Sequence, residues 1–167
     1  MTLPNIITLF RLVLAPVAIF SMIYYPDSYW IAGLLLIIAG LSDILDGYLA
    51  RKNNQVSTLG TMLDPVADKL LMTGILLVLA LRKEVKMIAI AVLLLKELAL
   101  LFGGLVLWKK VKRAIPASIL GKGATVFLYI GVLSILFGFN FLHWFIYAGV
   151  ALSVVAGLHY LYLAISG

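Results

Sequence analysis

Apolar runs long enough to cross a bilayer alternate along this chain with short polar breaks. An α-helix rises about 1.5 Å per residue, so a hydrocarbon layer of about 30 Å takes about 20 residues. Residues 2–11, TLPNIITLFR, are short and mildly amphipathic, and Pro4 and Asn5 suit a helix start, which predicts a helix lying at the membrane surface. The run LVLAPVAIFSMIYY, residues 12–25, predicts a first span with Pro16 as a kink point. The loop PDS at 26–28 leads into a second span over 29–50, where Tyr24, Tyr25, Tyr29 and Trp30 mark a membrane–water boundary. NNQVST at 53–58 is a polar connection, a third span follows over 59–81, and RKEVK at 82–86 separates it from a fourth that ends near Trp108. Residues 109–123, KKVKRAIPASILGKG, hold too much Pro, Ser and Gly to continue a span. A fifth span is expected over 124–139, with a start as early as Ser118, and a sixth over 142–165. The fold class expected is an all-α membrane protein, a six-transmembrane-helix bundle with a short N-terminal interfacial helix, forming one domain over 1–167.

Composition agrees with lipid as the main solvent. Of the residues, 64% are hydrophobic and 12% charged, and the mean hydropathy is +1.15. Water-soluble domains run nearer half apolar and one quarter charged, so no substantial soluble domain fits here. The absence of cysteine removes disulfides, thiolate nucleophiles and cysteine-ligated metals together. A net charge of +6 raises the question of nucleic acid, but the basic residues lie between apolar runs and form no polar, aromatic-interleaved surface. Membrane lipids with anionic headgroups or a phosphorylated substrate suit that charge better, and no nucleic-acid partner is expected. The N-terminus lacks a basic stretch and its apolar run is followed by many more, against a cleaved signal peptide. With the N-terminus inside, Arg11, Arg51, Lys52, Lys109, Lys110, Lys112, Arg113 and Lys122 fall on the cytoplasmic side, against Arg82, Lys83 and Lys86 outside. A multi-pass protein of the cytoplasmic (inner) membrane is expected, with its polar cluster near the cytoplasmic face.

That cluster is acidic. The chain has 7 Asp and Glu residues, and Asp43, Asp46, Asp64 and Asp68 stand where the second span ends and the third begins. Asp43 and Asp46 are about one helical turn apart, as are Asp64 and Asp68, and the short connection folds one helix back on the other. All four carboxylates then face one small volume of low dielectric, where ionised groups repel strongly and need cations. Oxygen ligands without histidine or cysteine favour magnesium or manganese, and several carboxylates suit a pair of ions. Lys69 or Arg51 is placed to neutralise some of the charge. Helix-end solubilisation explains a single such aspartate but not four at these spacings. Gly47, Ala50 and Gly60 border the cluster, where small residues allow close backbone approach and leave room for a metal-bound diphosphate.

Residues 43–68 read DILDGYLARKNNQVSTLGTMLDPVAD. This segment resembles the signature of the CDP-alcohol phosphatidyltransferase family, D-x2-D-G-x2-A-R-x8-9-G-x3-D-x3-D, at every named position. The resemblance implies that Asp43, Asp46 and Asp64 are metal ligands, and that Asp68 is both a metal neighbour and the general base. It implies two divalent cations, Mg2+ or Mn2+. It also places Asp43, Asp46, Gly47, Ala50 and Arg51 against the cytidine diphosphate group, with Gly60 permitting close approach. The implied reaction is attack by an alcohol on the lipid-linked phosphorus of CDP-diacylglycerol, giving a phosphodiester lipid and CMP. A homodimer is implied by the family as well.

The acceptor is a finer question. The opening LPNIITLFRLVLAP and the segment LGTMLDPVADKLL resemble bacterial members that form phosphatidylglycerophosphate from sn-glycerol 3-phosphate. A basic pocket suits an acceptor phosphate: Lys122 is a candidate contact that equally fits a topology role, and Lys112 and Arg113 are further candidates, though their run fits an inside-positive loop on anionic headgroups better. Those members often carry an Arg-Glu pair in the fourth span, where this chain has Lys96 and Glu97, and lysine lacks the planar fork of arginine. Phosphatidylglycerol as acceptor, giving cardiolipin, is the alternative within the family. A transporter or ion-binding subunit with buried carboxylates is the alternative outside it. Lys96 and Glu97 are expected to face the bundle and find partners, though not ideally each other, since adjacent side chains on a helix diverge. His143 and His159 lack ligand-like spacing to the acidic cluster and are expected to be interfacial or packed.

Overall fold

A computed structural model describes the backbone of residues 3–53, 58–108 and 119–166, and the side chains of 9–44, 69–100, 119–139 and 141–162. The described elements are all helical: α1 (Leu3–Tyr24), α2 (Tyr29–Asn53), α3 (Thr58–Leu81), α4 (Met87–Trp108), α5 (Ile119–Leu136) and α6 (Trp144–Ser166). A 3-10 turn, Asn140–Leu142, stands between α5 and α6. Among the described residues, Ile119–Leu136 and Trp144–Tyr162 are long and apolar enough to cross a membrane, while Leu9–Tyr24, Tyr29–Ile44 and Lys69–Leu81 are shorter apolar stretches.

The N-terminus departs from the sequence expectation. Among the described residues no separate short helix precedes the apolar run at 12–25, because Leu3–Tyr24 is one continuous helix with Pro16 inside it. Pro4 sits in the first turn, where a missing N–H costs nothing, and no glycine or polar break falls between Arg11 and Leu12 to end the helix.

The chain divides into two compact units, Met1–Arg82 and Lys83–Gly167. In the first, α1, α2 and α3 all pack on one another. The buried stripe of α1 is Leu14, Ala15, Ala18 and Met22, that of α2 is Ala32, Leu36 and Ala39, and that of α3 includes Leu71, Met72, Ile75, Leu76 and Leu79. The spacings of three and four residues keep each set on one helix face. Small residues on α1 and α2 let those backbones come close. The turn from α1 to α2 is short: the Tyr25 amide donates to the Ser21 carbonyl at 2.9 Å and the Ser28 amide to the Tyr25 carbonyl at 3.0 Å. At the same end, Arg82 Nη2 donates to the Ile23 carbonyl at 3.3 Å.

In the second unit, α6 packs against both α5 and α4. A Cβ at Gly131 would stand 2.6 Å from the Ile146 amide nitrogen, and one at Gly149 would stand 2.9 Å from that of Leu128. Those backbones touch, so no larger residue fits without moving a helix. Phe127 and Phe145 stack beside this contact, with ring centroids 5.1 Å apart.

Helix α5, Ile119–Leu136, accords with the early start expected near Ser118 and ends before the expected 139. Its stop has a local cause. Gly138 adopts φ 77, while the Phe139 amide reaches the Ser134 carbonyl at 2.6 Å and the Gly138 amide reaches that of Ile135 at 3.0 Å. This is the Schellman arrangement, which satisfies the last carbonyls and turns the chain away.

Candidate active site

The buried stripe of α2 steps through Ala32, Leu36 and Ala39, and four residues on comes Asp43. The stripe of α1, read backwards from Met22 through Ala18, Ala15 and Leu14, arrives at Arg11. A short turn joins the two helices, so the early part of α1 lies beside the late part of α2. There Arg11 Nη1 donates to Asp43 Oδ1 at 2.5 Å, and the side chains are 2% and 53% exposed. Arg11 also makes interactions beyond this one. A guanidinium stays protonated and is costly to bury, so its charge has to be met by partners on the spot.

This pair was not legible in the sequence pattern, which places Arg11 only as an inside-positive residue and looks to Lys69 or Arg51 to balance the aspartates. Lys69 is exposed. The available signal was register: Arg11 stands three and four residues before Leu14 and Ala15, and so shares their face.

Asp46, Gly47, Ala50 and Arg51 lie on the helical backbone of α2, and Gly60, Asp64 and Asp68 on that of α3. Their side chains are outside the described residues, and Lys112 and Arg113 are outside them altogether. The helical backbone puts Asp43 and Asp46 three positions apart on α2, and Asp64 and Asp68 four apart on α3, as the spacing predicts. The two helices pack on each other within their unit. Among the described residues no three acidic or histidine side chains converge, and of the four aspartates only Asp43 belongs to that set. Its half-exposed carboxylate, with one oxygen engaged by Arg11, is a hard oxygen donor of the kind that Mg2+ and Mn2+ take.

In the second unit, Lys122 is the fourth residue of α5 and is exposed. Lys96 and Glu97, expected to diverge, instead form an ion pair with each other on α4, both largely buried. A flexible stem makes this possible: a Cβ at Gly157 of α6 would come within 3.2 Å of Lys96 Cγ, so the lysine stem lies close against α6 at that glycine. His143 packs on Trp144, with ring centroids 5.3 Å apart, and His159 is exposed.

The sequence model of the CDP-alcohol phosphatidyltransferase family matches residues 1–155. The chain belongs to the CDP-alcohol phosphatidyltransferase family. A Rickettsia bellii protein named CDP-diacylglycerol--glycerol-3-phosphate 3-phosphatidyltransferase is 38% identical over 135 residues, covering 80% of this chain and 74% of that one. An Aquifex aeolicus protein of the same name is 33% identical over 137 residues, covering 81% of this chain and 75% of that one. A Mycobacterium tuberculosis protein, provisionally named a cardiolipin synthase, is 35% identical over 139 residues, covering 83% of this chain and 66% of that one. Family membership makes the chain a membrane-associated transferase and decides against the transporter reading. The family is generally dependent on divalent cations.

Proposed function

We propose that this chain transfers the phosphatidyl group of CDP-diacylglycerol to sn-glycerol 3-phosphate, forming phosphatidylglycerophosphate and CMP. The observation that carries the proposal is the complete family signature, set on the facing helices α2 and α3, in a chain that aligns over most of its length with relatives of that name. Asp43, Asp46, Asp64 and Asp68 would hold two divalent cations, Mg2+ or Mn2+, and Gly47, Ala50, Arg51 and Gly60 would accommodate the cytidine diphosphate. The bound ions would draw charge from the diphosphate and stabilise the CMP that leaves.

Asp68 accepts the proton of the acceptor hydroxyl as that oxygen attacks the phosphorus bearing the diacylglycerol. The new phosphorus–oxygen bond forms while the bond to the bridging oxygen of the diphosphate breaks, and the electron pair departs with CMP. Lys122 meets the acceptor phosphate: a lysine in the first turn of α5 opposes the helix dipole, and an anion there relieves that opposition. Lys112 and Arg113 supply further positive charge for the acceptor or for lipid headgroups.

The same reading makes α1 to α6 six spans of one domain over 1–167. Helices α1 to α4 hold 22, 25, 24 and 22 residues, which at about 1.5 Å per residue is about 33–38 Å each. The N-terminus is cytoplasmic, the site opens near the cytoplasmic face of the inner membrane, and the protein is a homodimer.

Phosphatidylglycerol as acceptor is the second reading, favoured by the likeness to the mycobacterial relative. A product-resolved assay of purified protein separates the two, using CDP-diacylglycerol, Mg2+ or Mn2+, and each acceptor in turn. Phosphatidylglycerophosphate with CMP from glycerol 3-phosphate is the expected result. Cardiolipin with CMP from phosphatidylglycerol, and no product from glycerol 3-phosphate, would replace the first reading with the second.

A further inference from the structure

Arg11 is the largest charged group buried among the described residues, and neither the family signature nor the proposed chemistry uses it. It lies on α1, outside residues 43–68, and its Nη1 donates to Oδ1 of Asp43, the first aspartate of the signature. The two ends of this pair differ sharply in surroundings, with 2% exposure for the arginine side chain and 53% for the aspartate. A merely solvated ion pair would leave both ends in water. Here the guanidinium is fixed in the helix packing while the carboxylate stays accessible.

A planar guanidinium held in place by packing restrains the carboxylate it touches, in a way that the flexible ammonium of lysine does not. We propose that Arg11 is a positioning residue for cation binding: by holding Asp43 Oδ1 from the protein side, it sets the direction of the carboxylate and leaves its other oxygen to a divalent ion. This rests on the reading of Asp43 as a metal ligand. The chemistry is that of an outer partner to a ligating group, where loss of the partner costs about 10–100-fold in metal affinity. The charge also matters. On that same reading four carboxylates share the site and would repel, and a fixed cation beside Asp43 would ease their gathering before any metal arrives.

The alternative is that Arg11 only staples α1 to α2. The two roles separate in a titration of full-length protein in phosphatidylcholine nanodiscs with Mn2+ alone, free Mn2+ being followed by electron paramagnetic resonance. Melting temperature in EDTA is measured alongside. Arg11→Gln is expected to weaken Mn2+ binding by about 10–100-fold, with Arg11→Lys recovering part of the loss because it keeps the charge but not the planar fork. A folded Arg11→Gln protein with wild-type Mn2+ affinity, whatever its melting temperature, would overturn the proposal and leave the metal reading standing. If Arg11→Gln does not fold, Arg11→Lys decides, and wild-type affinity there overturns the proposal equally. Absence of Mn2+ binding by the wild type, relative to an Asp43→Asn, Asp46→Asn control, would remove the metal reading and this proposal with it.

Discussion

The two units combine charge and close packing in different ways. The first, Met1–Arg82, brings a charge into its helix packing: the stripes that begin as Met22, Ala18 and Leu14 on α1 and as Ala32, Leu36 and Ala39 on α2 end in Arg11 and Asp43. The second, Lys83–Gly167, brings backbone against backbone, with Gly131 on Ile146 and Gly149 on Leu128. In lipid the hydrophobic effect does little to hold apolar helices together, so association depends on close packing and on polar contacts. The first unit shows the polar device at Arg11 and Asp43, and the second shows both, with the Lys96–Glu97 pair on α4 as well as its backbone contacts. The reading proposed above puts the reactive groups in the first unit, while the glycine contacts make the second a close-packed scaffold.

The sharpest test removes the proposed base. Asp68→Asn is expected to lower turnover by about 10²–10⁴-fold while CDP-lipid binding persists, since an amide cannot accept the proton. Undiminished turnover in a folded variant would take the chemistry away from the first unit.

Next comes the scaffold. Gly149→Leu forces a side chain into the Leu128 backbone, and overpacking of this kind costs about 1–3 kcal/mol or more. A clear fall in melting temperature is expected, with Mn2+ affinity of the folded fraction unchanged. A parallel loss of Mn2+ affinity would show that the units do not divide the work as described.

Lys122→Gln should be milder, raising KM for glycerol 3-phosphate about tenfold, as loss of one charge-assisted hydrogen bond does, and leaving KM for CDP-diacylglycerol alone. Equal effects on both substrates would make Lys122 a topology residue only. The smallest effect belongs to Gly74→Ala in the first unit. The added methyl meets the terminal carbon of Ile19, a flexible side-chain end that can move aside, so a shift in melting temperature well below that of Gly149→Leu is expected. A shift as large would mean that the first unit depends on steric fit as strictly as the second.

Much of this was legible in the chain. Helices α3 (Thr58–Leu81) and α4 (Met87–Trp108) lie where hydropathy places the third and fourth apolar runs, and the polar break at 82–86 separates them. The aspartate pairs keep their helical spacing for the same local reason. Other features depended on less visible signals. The continuity of α1 through Arg11 follows from the lack of any breaker, which weak amphipathicity concealed. The early stop of α5 follows from one glycine at positive φ within an apolar run.

The sequence by itself determined that this is a membrane-associated transferase of the CDP-alcohol type, since hydropathy and a signature of fixed spacing are properties of neighbouring residues. Tertiary structure alone decided that Arg11 meets Asp43, 32 positions away, and that Lys96 folds across Gly157 to reach Glu97. Both choices depend on which helix faces which. Helical periodicity fixes the face a residue occupies, but the partner on the other side is fixed only when two helices pack.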